Sequence, residues 1–272
     1  MASTTTPSSS SDPIVFYDIA SGPPIRPFAP NPWKTRYALN FKRAPFVTQW
    51  VDLADVTSTR KSLGLDPVRF HDNGEPFYTL PAIRDPAADN KVVGDSFDIA
   101  VYLEQKYPEA PSLFRNNPSS SSSIGLYASF NAHMDSLFTM GAALAGQTFP
   151  FNPETAEQCK AEFCRRLGVK SWDELLVEGE ARAQIVSGLQ KSLGVAAKCF
   201  RFSGDDGPFI GGKEADYADI IIGGWLMMFS LTVPEWEEIR AWNGGIWGGC
   251  TMPSSRTEGH GDMAVNEVDP CY

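Results

Sequence analysis

The chain has 272 residues, of which 42% are apolar, enough to bury a core in one large domain or two smaller ones. A formal charge of −10 argues against nucleic acid or an anionic membrane surface as a partner, and no stretch approaches the roughly 20 apolar residues of a membrane span. Met1 to Asp12 is rich in Ser and Thr and lacks the basic start and apolar core of a secretory signal, so a disordered tail (1–12) and a cytoplasmic protein are expected.

Alternating strand and helix signals fill residues 14–107. Their most specific part is Thr79 to Pro108: a Thr-Leu-Pro-Ala-Ile strand, a short strand at Lys91–Val93, then Gly94-Asp95-Ser96 opening a helix that ends near Tyr107-Pro108. Pro81 inside an apolar run removes a ladder donor, which places it at an edge or in a cis bond in a tight bend. Asp95 with Asp98 three positions later reads as an acidic capping box. Free N–H groups at that helix start, with the Ser96 hydroxyl, suit a carboxylate, and the Asp95 carboxylate suits an ammonium. Taken singly, each feature is also what a bent edge strand and an ordinary capped helix look like.

Pro108, Pro111, Pro118 and the run Ser119–Ser123 predict a linker over 108–123. Helical spacing follows in Leu126–Leu144 and Glu174–Cys199, and a second acidic capping box, Asp216-Tyr217-Ala218-Asp219, leads into an apolar helix through Met228. The five cysteines, Cys159, Cys164, Cys199, Cys250 and Cys271, all lie in the second half, so the first half has neither a CxxC motif nor a thiol for a mixed disulfide. His71, His133 and His260 are too scattered for a metal site, and none is expected; the cysteines read as buried, reduced thiols.

Pro81 and Asp95-Ser96 at this spacing resemble the glutathione transferases. The likeness runs from residue 14 to about 247: Ile14–Asp18 as a first strand, Pro30-Asn31-Pro32-Trp33-Lys34-Thr35-Arg36 entering a first helix, and Phe46–Val51 as a second strand. The Pro-Asn-x-Trp-Lys-Thr-Arg wording, followed by Pro-Phe-Tyr-Thr-Leu-Pro-Ala-Ile, is most similar to the fungal FuA class, which is related to the bacterial β-etherase transferases. The resemblance implies a thioredoxin-like α/β glutathione-binding domain (13–107), the linker, an all-α helical domain (124–247) and an irregular tail (248–272). It implies that Leu80 and cis-Pro81 pair with the cysteinyl part of glutathione, that Asp95 and Ser96 hold its γ-glutamyl end, and that the protein is a homodimer. Asp216 stands where the family has Ser or Thr, and still caps well.

One departure concerns the sulfur. A thiol with a pKa near ~8.5 needs a donor to become thiolate at neutral pH. The FuA class provides a serine hydroxyl in a Ser-Pro-Asn wording, where this chain reads Phe28-Ala29-Pro30-Asn31. Asn31 is then the best-placed catalytic candidate, with helix-start N–H groups or Ser21 as alternatives; Asn31 reads equally as a helix cap before Pro32. Lys34 and Arg36 are expected on solvated faces, although one could meet a glutathione carboxylate. Phe28, Trp33, Tyr127, Phe130 and Met134, with Phe138 and His133 nearby, are candidate walls for a hydrophobic aromatic compound, and the same residues read as plain helix packing. Two functions follow: transfer of glutathione's thiol to an electrophilic or aryl-ether aromatic compound, or weakly catalytic, ligandin-type binding. A purely structural module is a third reading, against which Pro81, Asp95 and Ser96 speak. Beyond Trp247 the Gly248-Gly249 break replaces the apolar helix with which the family closes.

Overall fold

The computed structural model describes residues 12–71, 73–115, 121–203 and 207–249. The first half contains β1 (Ile14–Ile19), α1 (Pro30–Phe41), β2 (Phe46–Val51), α2 (Val56–Ser62), the short pair β3 (Arg69–Phe70) and β4 (Pro76–Phe77), β5 (Ala82–Asp85), β6 (Lys91–Gly94) and α3 (Ser96–Lys106). A four-stranded sheet runs in the order β2-β1-β5-β6, with β1 and β2 parallel and the other neighbours antiparallel. β1 alternates as a half-buried strand should, with Ile14 and Phe16 buried. Asp18 is buried as well; its carboxylate accepts from the Arg36 guanidinium at 3.0 Å, and that guanidinium lies over the rings of Phe16, Phe46 and Trp50. Arg36 is therefore largely packed rather than solvated.

The second half is helical: α4 (Ser121–Thr139), α5 (Ala156–Leu167), α6 (Gly179–Ala196), α7 (Tyr217–Thr232), α8 (Trp236–Ile239) and α9 (Ile246–Gly249), with 3-10 turns between several of them. α7 opens with the Asp216/Asp219 capping box closed in both directions, and most of its residues are buried. One apolar core joins the halves, from Trp33, Tyr37, Ile83 and Ile99 to Phe138, Tyr217, Trp225 and Trp247.

Several local expectations shift. Pro81 precedes β5 rather than lying inside it, and the Leu80-Pro81 bond is cis. Ser121–Ser123 belong to α4 rather than to a linker, and Leu113 and Phe114, in the supposed linker, are fully buried core residues. The single helix expected over Glu174–Cys199 is divided, because Gly179 takes φ +54° between the 3-10 turn Trp172–Leu175 and the body of α6. α5 adds a helix beyond those expected from the sequence. Cys159, Cys164 and Cys199 are free thiols. Gly248 and Gly249, expected to break the helix and open an irregular tail, instead close α9, and residues 1–11 and 250–272, including Cys250, Cys271 and the rest of that tail, lie outside the described residues.

Candidate glutathione site

Pro81 and Asp95 meet directly. Ala82 pairs with Gly94 across β5 and β6, and the Asp95 N–H donates to the Pro81 carbonyl at 3.3 Å. Asp95 takes φ +85°, ψ 134°, a conformation that costs a non-glycine residue of order 1–3 kcal/mol and persists where function or surrounding structure requires it. From there its Oδ1 caps α3 by accepting from the Phe97 N–H at 2.8 Å. The reciprocal half of the expected box is not made, because the Asp95 N–H that Asp98 would have to accept is already engaged with Pro81. Asp98 stays at the surface, its carboxyl pushed up by partial burial and by the Asp95 charge.

Leu80 and Ser96 are buried, and Asp95 is exposed. The Ser96 carbonyl accepts from the Tyr217 hydroxyl at 2.9 Å, so the first residue of α7 supports the start of α3. Burial holds the Tyr217 phenol well above its ordinary pKa, keeping it a donor. The result is a helix start with an exposed carboxylate beside it, adjoining the backbone of a cis-proline.

At the start of α1 the helix begins at Pro30, two residues earlier than the cap reading of Asn31 requires, because a proline at the first helical position forfeits only an N–H without an intrahelical partner. Ala29 is the cap residue and contributes no side-chain hydrogen bond. Asn31 is thus the second helical residue, and its Oδ1 is buried without a hydrogen-bond partner among the described residues. Ser21, the alternative donor, is committed to its own turn: its hydroxyl donates to the Gly22 carbonyl at 2.8 Å and accepts from the Arg26 N–H at 2.7 Å.

Lys34 is completely buried, against expectation. Its Nζ donates to Asn131 Oδ1 at 2.9 Å and to Asp135 Oδ1 at 2.5 Å, and the same Asp135 oxygen accepts from Trp225 Nε1 at 2.6 Å. Burial pushes the Lys34 pKa down, while Asp135 and, farther off, Asp95 oppose that shift. This network was missed; its one sequence trace is Asn131 and Asp135 four apart on α4, on one face of the helix.

The five candidate wall residues do not form one surface. Phe28 packs with Leu80, Val51 and Leu53, edge-on to Phe149, whereas Trp33 and Met134 belong to the larger core, with Phe130 and Tyr127 against it. The Tyr127 hydroxyl donates to Asp216 Oδ2 at 2.8 Å and accepts from the Arg115 N–H, so it ties α4 to the start of α7. Phe138 stacks on Trp225 in the core, and His133 is exposed. Phe28 instead meets Phe149 edge-on, and Phe149, Phe151 and Phe163, from the segment around α5, pack against the same cluster.

A family model described as the glutathione S-transferase N-terminal domain matches residues 28–106, and one described as the glutathione S-transferase C-terminal domain matches residues 129–252. The chain belongs to the glutathione S-transferase family. Among solved structures it is similar to a glutathione S-transferase of Ceriporiopsis subvermispora crystallised in complex with glutathione, with 30% identity, a TM-score of 0.75, and coverage of 88% of this chain and 95% of that one. It is also similar to the FuA-type transferase GSTFuA3 from Phanerochaete chrysosporium, with 26% identity, a TM-score of 0.74, and coverage of 89% and 96%. A further relative is the glutathione S-transferase-like protein ustS of Aspergillus flavus, 28% identical over 252 residues, 86% of each chain. As in other glutathione S-transferases, a thioredoxin-like domain with a mixed sheet precedes a helical domain. No helix among the described residues is long and apolar enough to cross a membrane.

Proposed function

We propose that the protein binds glutathione at the junction of Leu80-Pro81 and Asp95-Ser96 and transfers its thiol to an electrophilic or aryl-ether aromatic compound. The observation that carries this reading is Asp95, kept in an unfavourable backbone conformation where it is bonded to Pro81, caps α3 and remains exposed beside free helix-start donors. In the reaction the glutathione sulfur forms a bond to carbon as the leaving group departs with its electron pair, and the thiol proton passes to solvent. The chain's part is to hold the peptide so that the sulfur lies near the start of α1, where main-chain donors and the Asn31 amide are the groups available to stabilise thiolate. Family membership supports a homodimer, which sedimentation equilibrium would test.

Titration of the purified protein with glutathione by calorimetry is the test. Asp95→Ala removes a charge-assisted partner of the γ-glutamyl ammonium and is expected to weaken binding by about tenfold or more, the equivalent of roughly 1.5 kcal/mol. Unchanged affinity in that variant sinks the assignment of the γ-glutamyl end. The absence of a hydroxyl at Ala29 favours, as a second reading, a weakly catalytic binder of aromatic compounds. It predicts glutathione binding with little thiolate absorbance at neutral pH.

A further inference from the structure

Behind the proposed glutathione site lies a buried cation that the reaction does not use. Arg60, on α2, is 4% exposed. Its Nε donates to the Asp66 carbonyl and its Nη1 to the Thr79 carbonyl, both at 2.9 Å. Among the described residues these two carbonyls are its hydrogen-bond partners, and no carboxylate closes a salt bridge with it. Burial lowers its pKa, and the Asp95 and Asp66 charges oppose that shift. Gly94 lies against the same guanidinium: a Cβ there would stand 2.9 Å from Nη1 and Nη2 and 2.8 Å from Leu65 Cδ1. One planar group thus bonds the residue before Leu80-Pro81 and abuts the residue before Asp95-Ser96.

Burying a guanidinium without a contacting carboxylate costs several kcal/mol, and a well-packed apolar residue in its place is often neutral or stabilising for the fold. A residue kept at that cost where it touches both halves of a binding site calls for a role in the site. We propose that Arg60 is a positioning residue for glutathione: its rigid fork sets the spacing between the Thr79-Leu80-Pro81 backbone and the Gly94-Asp95-Ser96 turn, and its charge favours an anionic group at the start of α3. This inference rests on the glutathione reading above.

The experiment is calorimetric titration of the full chain with glutathione, paired with thermal melts. Wild-type protein that binds no glutathione overturns the underlying reading and, with it, the role of Arg60. If wild type binds, Arg60→Met is expected to raise the Kd about tenfold or more, and Arg60→Lys, which keeps the charge but not the fork, to recover part of the loss. Gly94→Ala leaves Arg60 in place but displaces the guanidinium, and is expected to weaken binding in the same direction; should the Arg60 variants fail to fold, it decides alone. Leu193→Ala, in the core at α6, serves as the control that lowers the melting temperature without touching the site. A Kd that stays at the wild-type value in Arg60→Met, or in Gly94→Ala where that variant decides, overturns the proposal and leaves the glutathione reading standing. So does a Kd that rises as much in Leu193→Ala, since that marks general destabilisation.

Discussion

At the scale of the residue, the proposed function puts most weight on Ala29. It caps α1 through its backbone alone, and Ser21 is held in its own turn. Restoring the hydroxyl tests this: Ala29→Ser is expected to raise turnover with glutathione and an activated aryl halide by about tenfold or more, the effect of one added donor worth ~1.4 kcal/mol in the transition state. No gain would place the activating group elsewhere, with Asn31 first in line. A second residue-scale expectation concerns Asp219, buried in the capping box, where it accepts from the Ile210 and Asp216 N–H groups at 2.8 and 3.0 Å. Burial pushes its carboxyl up to about 6. The folded state then holds this proton more tightly than the unfolded chain, whose Asp titrates near ~3.9. The contribution of Asp219 to stability is therefore greatest below about pH 4 and is lost as pH rises toward 6. Melting curves of wild type and Asp219→Asn between those pH values should show the wild-type advantage shrinking as pH increases; an advantage that grows contradicts the assignment.

At the scale of elements, the packing of α1 on α7 governs the joint between the halves. Gly224 sits mid-helix, where glycine ordinarily weakens a helix by about 1 kcal/mol relative to alanine. Its role is close approach: a Cβ there would stand 2.7 Å from the Pro30 carbonyl and 2.8 Å from Lys34 Cγ. Gly224→Ala is accordingly expected to destabilise despite its better helix propensity, by about 1–3 kcal/mol in urea unfolding, since the clash is with backbone at the start of α1. A stabilised variant would show that the helices can part without cost. Because Pro30, next to Ala29, lies at that contact, the same change should also disturb the proposed position of the sulfur.

Across the whole molecule, the two halves are tied by polar contacts as well as by their common core. Tyr217 donates to Ser96, the Gly22 N–H donates to the Pro150 carbonyl, and Asp52 accepts from Thr155 and Cys159 of α5. Burial and the bond to Asp52 push the Cys159 thiol up to about 11, so it is a structural donor rather than a nucleophile. A charged tie is added by Lys34 with Asp135. Asp135→Ala leaves the fully buried ammonium without its counter-charge and is expected to cost about 3–5 kcal/mol, lowering a single cooperative unfolding transition observed by both far-ultraviolet dichroism and tryptophan fluorescence. Two separated transitions in wild type would show that the halves unfold independently of this pair.

Local chemistry was legible in the sequence wherever it acts within a few residues. The cis-compatible Pro81, the Asp95 cap, the β2 limits and the closed Asp216/Asp219 box are short-range backbone solutions, and their residue types betray them. The positive φ of Gly179 at the start of α6 has no comparable signal, whereas α5 is amphipathic and ends at a left-handed Gly168, so its existence is a local property while its packing beside Phe28 is not. Lys34 was read as solvated because a lysine on a helix usually is, whereas its partners stand 97 and 101 residues away and reach it only when α4 and α7 close over α1. The sequence by itself thus determined the family and the two-part architecture through its motifs, and its local hydrogen-bond needs marked Pro81, Asp95 and Ser96 as a candidate site to which the family resemblance assigns the cysteinyl and γ-glutamyl ends. Only the tertiary structure decided which cations are buried and how the aromatic residues divide between two clusters, because burial and charge pairing are properties of surfaces that meet across the fold.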